Sequence, residues 1–592
     1  MQNFKMNKRA EHAALERLLN IYFREKGCSP KKEGTSQWHI TLKDDLTLRG
    51  KLRYVSSMGH HMYDSAVYLE SIGHVSSMGH HMYDSAVYLE SIGHVSQLTP
   101  LEAIRYILEA IAYDETSQTE TTIVEAVYQD ICNSISRTTR YLDQARRHAP
   151  PHQNHYIASE QSLYLGHPFH PTPKSATGFT DEDIEQYAPE CHVAFQLHYL
   201  AVDPALLVER YVPNYEARVD ETVRQLAQIE EDEYTVTYRL LPVHPYQIEV
   251  LKQQPTIQQH LANGTIQDLG QRGHVVYPTS SVRTVFVKAL NIYLKLPIQV
   301  KITNFVRTND FEQIERTLDA AEIIAAIKPE YETATFKLMF EQGYRALQPD
   351  NDAVIDILAN SAMIVREGIE QYDSLEEIHV LASLFETMPD EPTSKLGQAW
   401  LRSGLSREDW LTVYLNQVIW PMLELFAHTG ISLEAHVQNT LVALEEGRPT
   451  VCYVRDLEGI CVSERIATAQ GMIPHQIRAD SPVVYTHHEA WHRFKYYVIV
   501  NHLGHLVSTL GKATGDEEML WQTVNRTLET WQERAEGHDV LMQCLEDLRY
   551  NPTFAAKANL MSKLQERGED PIYIKIPNPI SQEEDSIYET TD

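Results

Sequence analysis

Only six of the 592 residues are cysteine, and none of them (Cys28, Cys132, Cys191, Cys452, Cys461, Cys544) stands in a CxxC pair. That spacing argues against a zinc ribbon, a thiol redox motif and a disulfide framework, and it predicts buried free thiols. No apolar run approaches the roughly 20 residues of a membrane span. The opening MQNFKMNKRAEHAALERLL passes from basic residues into an amphipathic helix without the apolar core of a signal peptide. The expectation is a cytoplasmic chain with no membrane partner. Positive charge is also scarce: 51 Lys and Arg against 82 Asp and Glu leave a formal charge of −31. A general affinity for nucleic acid is therefore not expected, and any anionic ligand must be captured locally. The chain has neither GxxxxGK[ST] nor GxGxxG after a strand, so side chains must hold any nucleotide.

With 43% hydrophobic residues, the chain can bury a large core, and its length predicts two to four domains. Leu15, Leu18, Leu19, Tyr22 and Phe23 fall at helical spacing on one stripe. Residues 37–55 alternate apolar and polar about Lys43-Asp44-Asp45, which reads as a hairpin. The segment Val55–His74 is then repeated without a difference at Val75–His94. Solenoid repeats diverge and need at least three copies, so this pair reads as a recent duplication or an assembly artefact. Its histidine pairs, His60-His61 and His80-His81, lack acidic or thiol partners at ligand spacing and read as exposed loop. Helical patterning fills roughly 99–146. Breaks at Pro150-Pro151 and near residues 388–395 divide the chain into 1–150, 151–390 and 391–592, and the acidic end SQEEDSIYETTD reads as a solvated tail.

Three segments concentrate chemistry. Residues 277–310 hold Arg283, Lys295 and Arg307, with Lys295–Thr303 alternating as one half-buried strand that turns Lys295 and Thr303 the same way. Such a patch suits phosphate or polycarboxylate. In residues 431–459, Thr440–Leu444 and Thr450–Val454 form a hairpin. It brings Glu434, His436, Gln438 and Asn439 beside Arg455-Asp456, a layout able to hold phosphate-bound Mg²⁺ and loosely like a kinase palm. The proline-rich loop GHPFHPTPKSATGF (166–179) aims His167, His170 and Lys174 at one point, and LLPVHPYQ (240–247) repeats its His-Pro theme. A competing motif, His488-Glu489-Ala490-Trp491-His492, matches HExxH and implies a zinc hydrolase, although no third ligand is marked.

In order along the chain, GHPFHPTPKSATGF, LLPVHPYQ, SSVRT, KLPIQVKITNFVRTN, SLEAHVQN, VRDLEG and AAKANLMSKL resemble the motifs of the IucA/IucC family of siderophore synthetases. YPTSSVRTVF, ASLFETMPD and NHLGHLVSTLGKAT bring it nearest to members that join citrate to L-2,3-diaminopropionate. The resemblance implies an α+β cradle of thumb, fingers and palm, adenylation of citrate by ATP, and capture of the acyl-adenylate by an amine. It implies that Ser281, Arg283, Thr284, Lys295, Thr303 and Arg307 contact ATP or citrate, and that His436, Gln438 and Asn439 hold the nucleotide phosphates. His170, Lys174 and Arg307 would meet citrate, with His170 as orienter and possible proton acceptor. Glu434 and Asp456 are assigned to Mg²⁺, Arg283, Lys295 and Arg307 act catalytically with His170, and a homodimer is expected. Two features depart from the family pattern: Ala176 stands where many members carry arginine (KSRxG), and the tandem copy is extra. A non-catalytic citrate- or siderophore-binding protein is the remaining alternative to the ligase and the zinc hydrolase.

Overall fold

The stripe Leu15, Leu18, Leu19, Tyr22 and Phe23 is buried along one face of a helix, Gln2–Glu25, in a computed structural model of the chain. The structure describes residues 2–30, 36–42, 46–71, 95–115, 121–147, 155–230, 237–303, 305–348, 356–370, 372, 377–388, 391, 393–513, 515–568 and 570–581. That helix packs with Pro100–Glu115 and Thr121–Arg147 against a four-stranded antiparallel sheet of Gln37–Thr41, Leu46–Tyr54, Met62–Ser71 and Val95–Leu98, closing the thumb core. The expected hairpin is present, with Thr41 opposite Thr47, while the Lys43-Asp44-Asp45 turn lies outside the described residues.

The fingers are an eight-stranded antiparallel sheet. Its strands run in the order Leu207–Tyr211, Glu341–Leu347, Met363–Glu367, Ile292–Lys295, Thr284–Val287, Ile266–Pro278, Phe195–Val202 and Arg239–Val243. In the palm, the hairpin Thr440–Glu445 and Arg448–Val454 forms as expected, flanked by Phe336–Leu338 and Glu377–Val380. Those two flanking strands come from before residue 390, so the palm sheet crosses the expected boundary there. Helices cover the palm: Arg407–Tyr414 and Trp420–Thr429, continuous through a π-helical turn at Leu415–Ile419; His487–Phe494 and Gly504–Lys512, continuous through one at Lys495–Leu503; and Glu518–Arg534. The boundary at Pro150-Pro151, much of 388–395 and the tail beyond Ser581 lie outside the described residues.

Three expectations are corrected. Lys295–Thr303 is not one strand: Pro297 lacks the N–H that a ladder needs, so Ile292–Lys295 ends in the fingers sheet. Ile298–Ile302 starts another sheet, between Phe305–Arg307 and Ala176–Thr177. His60 and His61 are not exposed loop but 3% and 6% exposed, because His60 packs on Phe169 and His505 and His61 on Tyr63, while His80 and His81 lie outside the described residues. Among the cysteines, Cys191, Cys452, Cys461 and Cys544 are buried free thiols, whereas Cys28 is exposed and Cys132 half-buried. Ala176, at the family's arginine position, is packed into the thumb-side apolar core.

The repeat has a structural consequence. Strand Met62–Ser71 belongs to the first copy, and it pairs Glu70 with Val95 and Val67 with Leu98. Val95 directly follows the second copy, so deleting 75–94 leaves every described partner in place and joins Glu70 to Val95 through Ser71-Ile72-Gly73-His74. A four-residue connection is an ordinary hairpin loop. The deletion is therefore expected to keep the melting temperature within about 3 °C and activity within about twofold, since loop length costs little. A loss of activity above about tenfold would show that the second copy contributes to function.

Candidate active site

Thumb, fingers and palm meet at one cleft of about 1480 Å³, larger than a site for a single small ligand. It is lined by every residue that the sequence marked for ligand contact: His170, Lys174, Ser281, Arg283, Thr284, Lys295, Thr303, Arg307, Glu434, His436, Gln438, Asn439 and Asp456. The palm hairpin brings its two ends together, with Thr440 opposite Val454 and the Arg455 N–H donating to the Asn439 carbonyl at 3.0 Å. The Ser280–Arg283 turn is held beside it, because the Ser280 N–H donates to buried Glu160 (3.0 Å) and Gln438 donates to Ser280 Oγ (3.4 Å).

The cations of residues 283–307 converge there. Lys295 is 3% exposed, and its ammonium donates to Asp456 Oδ1 (3.0 Å) and Glu458 Oε2 (2.8 Å). Burial alone would lower the Lys295 pKa, but the two carboxylates raise it and keep the amine charged. Arg366 reaches the same Asp456 oxygen at 3.1 Å and also donates to Glu341 (2.8 Å). Despite burial, Lys295 and Arg366 hold the Asp456 carboxyl far below the usual carboxylate range. Arg283 donates to the Thr308 carbonyl and to Asn309 Oδ1, both at 2.7 Å. Arg307, anchored on Thr303 Oγ1 (3.1 Å), is pulled down to about 10 by burial and by the charge of Arg283. Two such arginines crowded together are short of negative charge, as a polyanion site requires.

Histidines supply neutral donors. In His167, His170 and His436, the Nδ1 atom accepts the backbone N–H two residues on, from Phe169 (3.1 Å), Thr172 (3.2 Å) and Gln438 (3.2 Å). Burial lowers all three pKa values, His167 to about 3, so the rings are neutral and the single proton is assigned to Nε2. His170 therefore offers the cleft a donor that can orient a carboxylate, and in this tautomer it has no free nitrogen to accept a proton. His244 repeats the His-Pro turn but is fully buried outside the cleft, capping helix Pro245–Lys252 through the Tyr246 N–H.

These rings make the fold sensitive to acid. His167 and His244 both sit near 3 because of burial, against 6.5 when exposed, so the unfolded chain binds more protons between those values. Stability must fall as pH drops through this window, by about 1.4 kcal/mol per pH unit for each such histidine. The urea midpoint is expected to drop from pH 7 to pH 5. His244→Asn, which keeps a capping acceptor, should flatten that slope; an unchanged slope would exclude His244 as a contributor.

The IucA/IucC family model matches residues 155–386, and a model described as ferric iron reductase FhuF-like transporter matches residues 408–572. The chain is 54% identical to the L-2,3-diaminopropanoate–citrate ligase of Staphylococcus aureus over 99% of both sequences. The chain belongs to the IucA/IucC family. It is also 26% identical to the spermidine-citrate ligase of Bacillus anthracis, over 97% of this chain and 98% of that one. The ATP-bound structure of aerobactin synthetase IucA from Klebsiella pneumoniae superposes with a TM-score of 0.82 at 25% identity, covering 96% of this chain and all of that one. The α+β cradle expected from the sequence is thus the fold of the IucA/IucC synthetases.

Several features of this IucA/IucC cleft were not legible from its motifs. Arg366, Glu458 and Glu341 complete the charge network around Lys295, and Lys557 enters the cleft above Tyr496 and Tyr497. Glu458 and Lys557 lie inside quoted motifs, VRDLEG and AAKANLMSKL, and charge within a motif was the available signal. Glu386, from ASLFETMPD, accepts the N–H groups of Tyr164, Leu165 and Gly166 at 2.8–3.0 Å and anchors the start of the His-Pro loop. Lys174 faces the cleft with its charge matched by buried Glu190 at 2.5 Å, making it the weakest of the expected citrate contacts. The HExxH motif is spent on packing. Glu489 pairs with Arg493 (3.0 Å), Trp491 is buried and His492 rests on Tyr573. Among the described residues, no three His, Cys, Asp or Glu side chains are grouped to hold a metal, and the HExxH residues stand without the third ligand that a zinc site takes.

Proposed function

We propose that the chain is an ATP-dependent carboxylate–amine ligase of siderophore synthesis, joining citrate to L-2,3-diaminopropionate. The observation that carries this reading is the cleft itself. Arg283 and Arg307 stand with neutral donors at His167, His170 and His436, opposite a carboxylate-bearing palm hairpin, in a chain 54% identical to a diaminopropanoate–citrate ligase. In the first step, a citrate carboxylate oxygen attacks the α-phosphorus of ATP and the bond to pyrophosphate breaks. In the second, the amine nitrogen attacks the citryl carbonyl, loses a proton, and AMP leaves with the electrons of the broken acyl–phosphate bond. Both substrates of the first step are polyanions, so the residues act mainly by placing them and by offsetting their repulsion.

Arg283 and Arg307 supply that counter-charge at the fingers. Ser281, Thr284 and Thr303 offer hydroxyls to the nucleotide, and His436, Gln438 and Asn439 offer donors to its phosphates. His170 Nε2–H orients citrate. Lys295 keeps Asp456 fixed and ionised beside the phosphates. Glu434 and Asp456 are the residues that would hold Mg²⁺. The donor set fits that ion, which takes one or two carboxylates and fills its remaining positions with phosphate oxygens and water. Bound there, the ion would neutralise phosphate charge. The family resemblance supports a homodimer and a cytoplasmic location. No described helix is long and apolar enough to cross a membrane.

The test is pyrophosphate release with Mg-ATP and citrate across a panel of amines. Release that depends on citrate and is stimulated chiefly by diaminopropionate, with a citryl-amide seen by mass spectrometry, is expected. Tight citrate binding without release would instead support a binding protein.

A further inference from the structure

The cleft continues beyond the groups assigned to ATP and citrate. Arg307 interacts electrostatically with His170, His170 with His167, His167 with His505, and His505 with Lys512. Contacts follow the same path: Phe169 of the His-Pro loop meets His60 with ring centroids 4.6 Å apart, and His60 stacks on His505 at 4.8 Å. This far end lies between two helices. Arg9, His12, Glu16 and Asn20 line it from helix Gln2–Glu25; Asn501, His505, Thr509 and Lys512 line it from the palm, at spacings of three and four that put each set on one helical face.

The charges at this end are unusual. Lys512 opens into the cleft and has no hydrogen-bond or ion-pair partner among the described residues. Glu517 acts on Lys512 electrostatically, but its oxygens are taken by Tyr54, Ser56, Ser57 and Trp521. Glu16, across the cleft, accepts only the Tyr63 N–H (3.1 Å) among its described hydrogen bonds. Lys512 and Glu16 attract each other without reaching ion-pair distance, and beside Lys512 stand His60 and His505, both held neutral by burial, which add no competing charge.

We infer that this thumb-side end, built from Glu16, His60, His505 and Lys512, takes the amine substrate, with Lys512 binding a carboxylate carried by that amine and Glu16 facing its ammonium. The occupant is then an amino acid with a second amine rather than a plain diamine, amino alcohol or polyamine. An ammonium and a carboxylate that attract each other across the cleft without a direct ion pair match the two charges of a zwitterion placed between them. The inference rests on the ligase reading above and specifies which feature of the amine this protein selects.

The test compares kcat/KM for L-2,3-diaminopropionate and for ethylenediamine, which is the same molecule without its carboxylate. Wild type should favour diaminopropionate by at least about 100-fold, and Lys512→Met should cut that preference by at least about tenfold, through KM, as expected for losing a charge-assisted hydrogen bond. Lys512→Arg, which retains the charge, should keep most of the preference. Glu16→Gln, on the opposite helix, should raise KM for both amines, and it carries the test if Lys512→Met does not fold. An undiminished preference in Lys512→Met, or an unchanged KM in Glu16→Gln, overturns the subsite. Absence of citrate-dependent pyrophosphate release from the wild type defeats the ligase reading instead, and the subsite falls with it.

Discussion

Arg283→Ala is expected to lower citrate-dependent pyrophosphate release by about 10²–10³-fold or more while leaving the fold almost untouched. The size follows from what the guanidinium does in the proposed reaction. Citrate and ATP must approach within bonding distance in a chain of net charge −31, and in a water-poor cleft one fixed donor on developing charge accounts for a factor of this order. The small effect on folding follows from the partners. Arg283 is bonded to a carbonyl and an amide, at Thr308 and Asn309, while Asp456 and Glu458 retain Lys295. Removing Arg283 therefore leaves no buried carboxylate unpaired, and even relieves its crowding with Arg307. Arg283→Lys should recover only part of the rate, because a single ammonium cannot take over the Nη1 bonds to Thr308 and Asn309 and still present the other guanidinium N–H groups to the cleft. Pyrophosphate release and a thermal melt on the same preparations separate the two effects. Turnover within about tenfold of wild type would rule out this placement of the reacting groups.

Local features of this fold were legible in the sequence, and distant ones were not. The palm hairpin could be read because its turn, Glu446-Gly447, lies between two β-rich runs, and both its ends then had to meet. The His-Pro loops could be seen as rigid, but not that each ring would cap the N–H two residues on; His167 and His170 face the cleft while His244 merely caps a helix. Alternation across Lys295–Thr303 misled because Pro297 sits at a position where the pattern alone continues. Val282, Thr303 and Asp456 adopt positive φ of 68°, 60° and 68° at the cleft wall. For valine and threonine no sequence signal announces this, since the conformation is unfavourable and persists only where surrounding contacts enforce it. The burial of His60 was equally hidden, because its partners Phe169 and His505 are far along the chain.

Glu160 and Arg455 are the clearest case of an invisible pair, 295 residues apart in sequence and 2% and 5% exposed at their side chains. Arg455 also donates to Tyr156 Oη (3.0 Å) and to the Gln438 carbonyl (3.1 Å), and Glu160 accepts from Ser280 N–H and Tyr156, so the pair ties the palm hairpin to the Ser280–Arg283 turn. Arg455→Met should cost about 3–5 kcal/mol, because it strands a carboxylate in the interior. Adding Glu160→Gln removes that charge while keeping an acceptor for Ser280. The double variant should therefore be more stable than Arg455→Met alone, with a coupling of about 2 kcal/mol in a urea-denaturation cycle. A pH series decides whether the stranded charge is the cause. In the wild type, despite burial, Arg455 holds the Glu160 pKa below the ordinary 4.5. Without Arg455, burial, the largest influence on Glu160, outweighs the hydrogen bonds left from Tyr156 and Ser280. The folded-state pKa moves above the unfolded value, and the folded form binds the extra proton. The stability deficit of Arg455→Met relative to wild type should then shrink as pH falls from 8 towards 5.5. The double variant should show no such recovery. A deficit independent of pH would mean that lost packing and hydrogen bonds, rather than an unpaired carboxylate, set the cost.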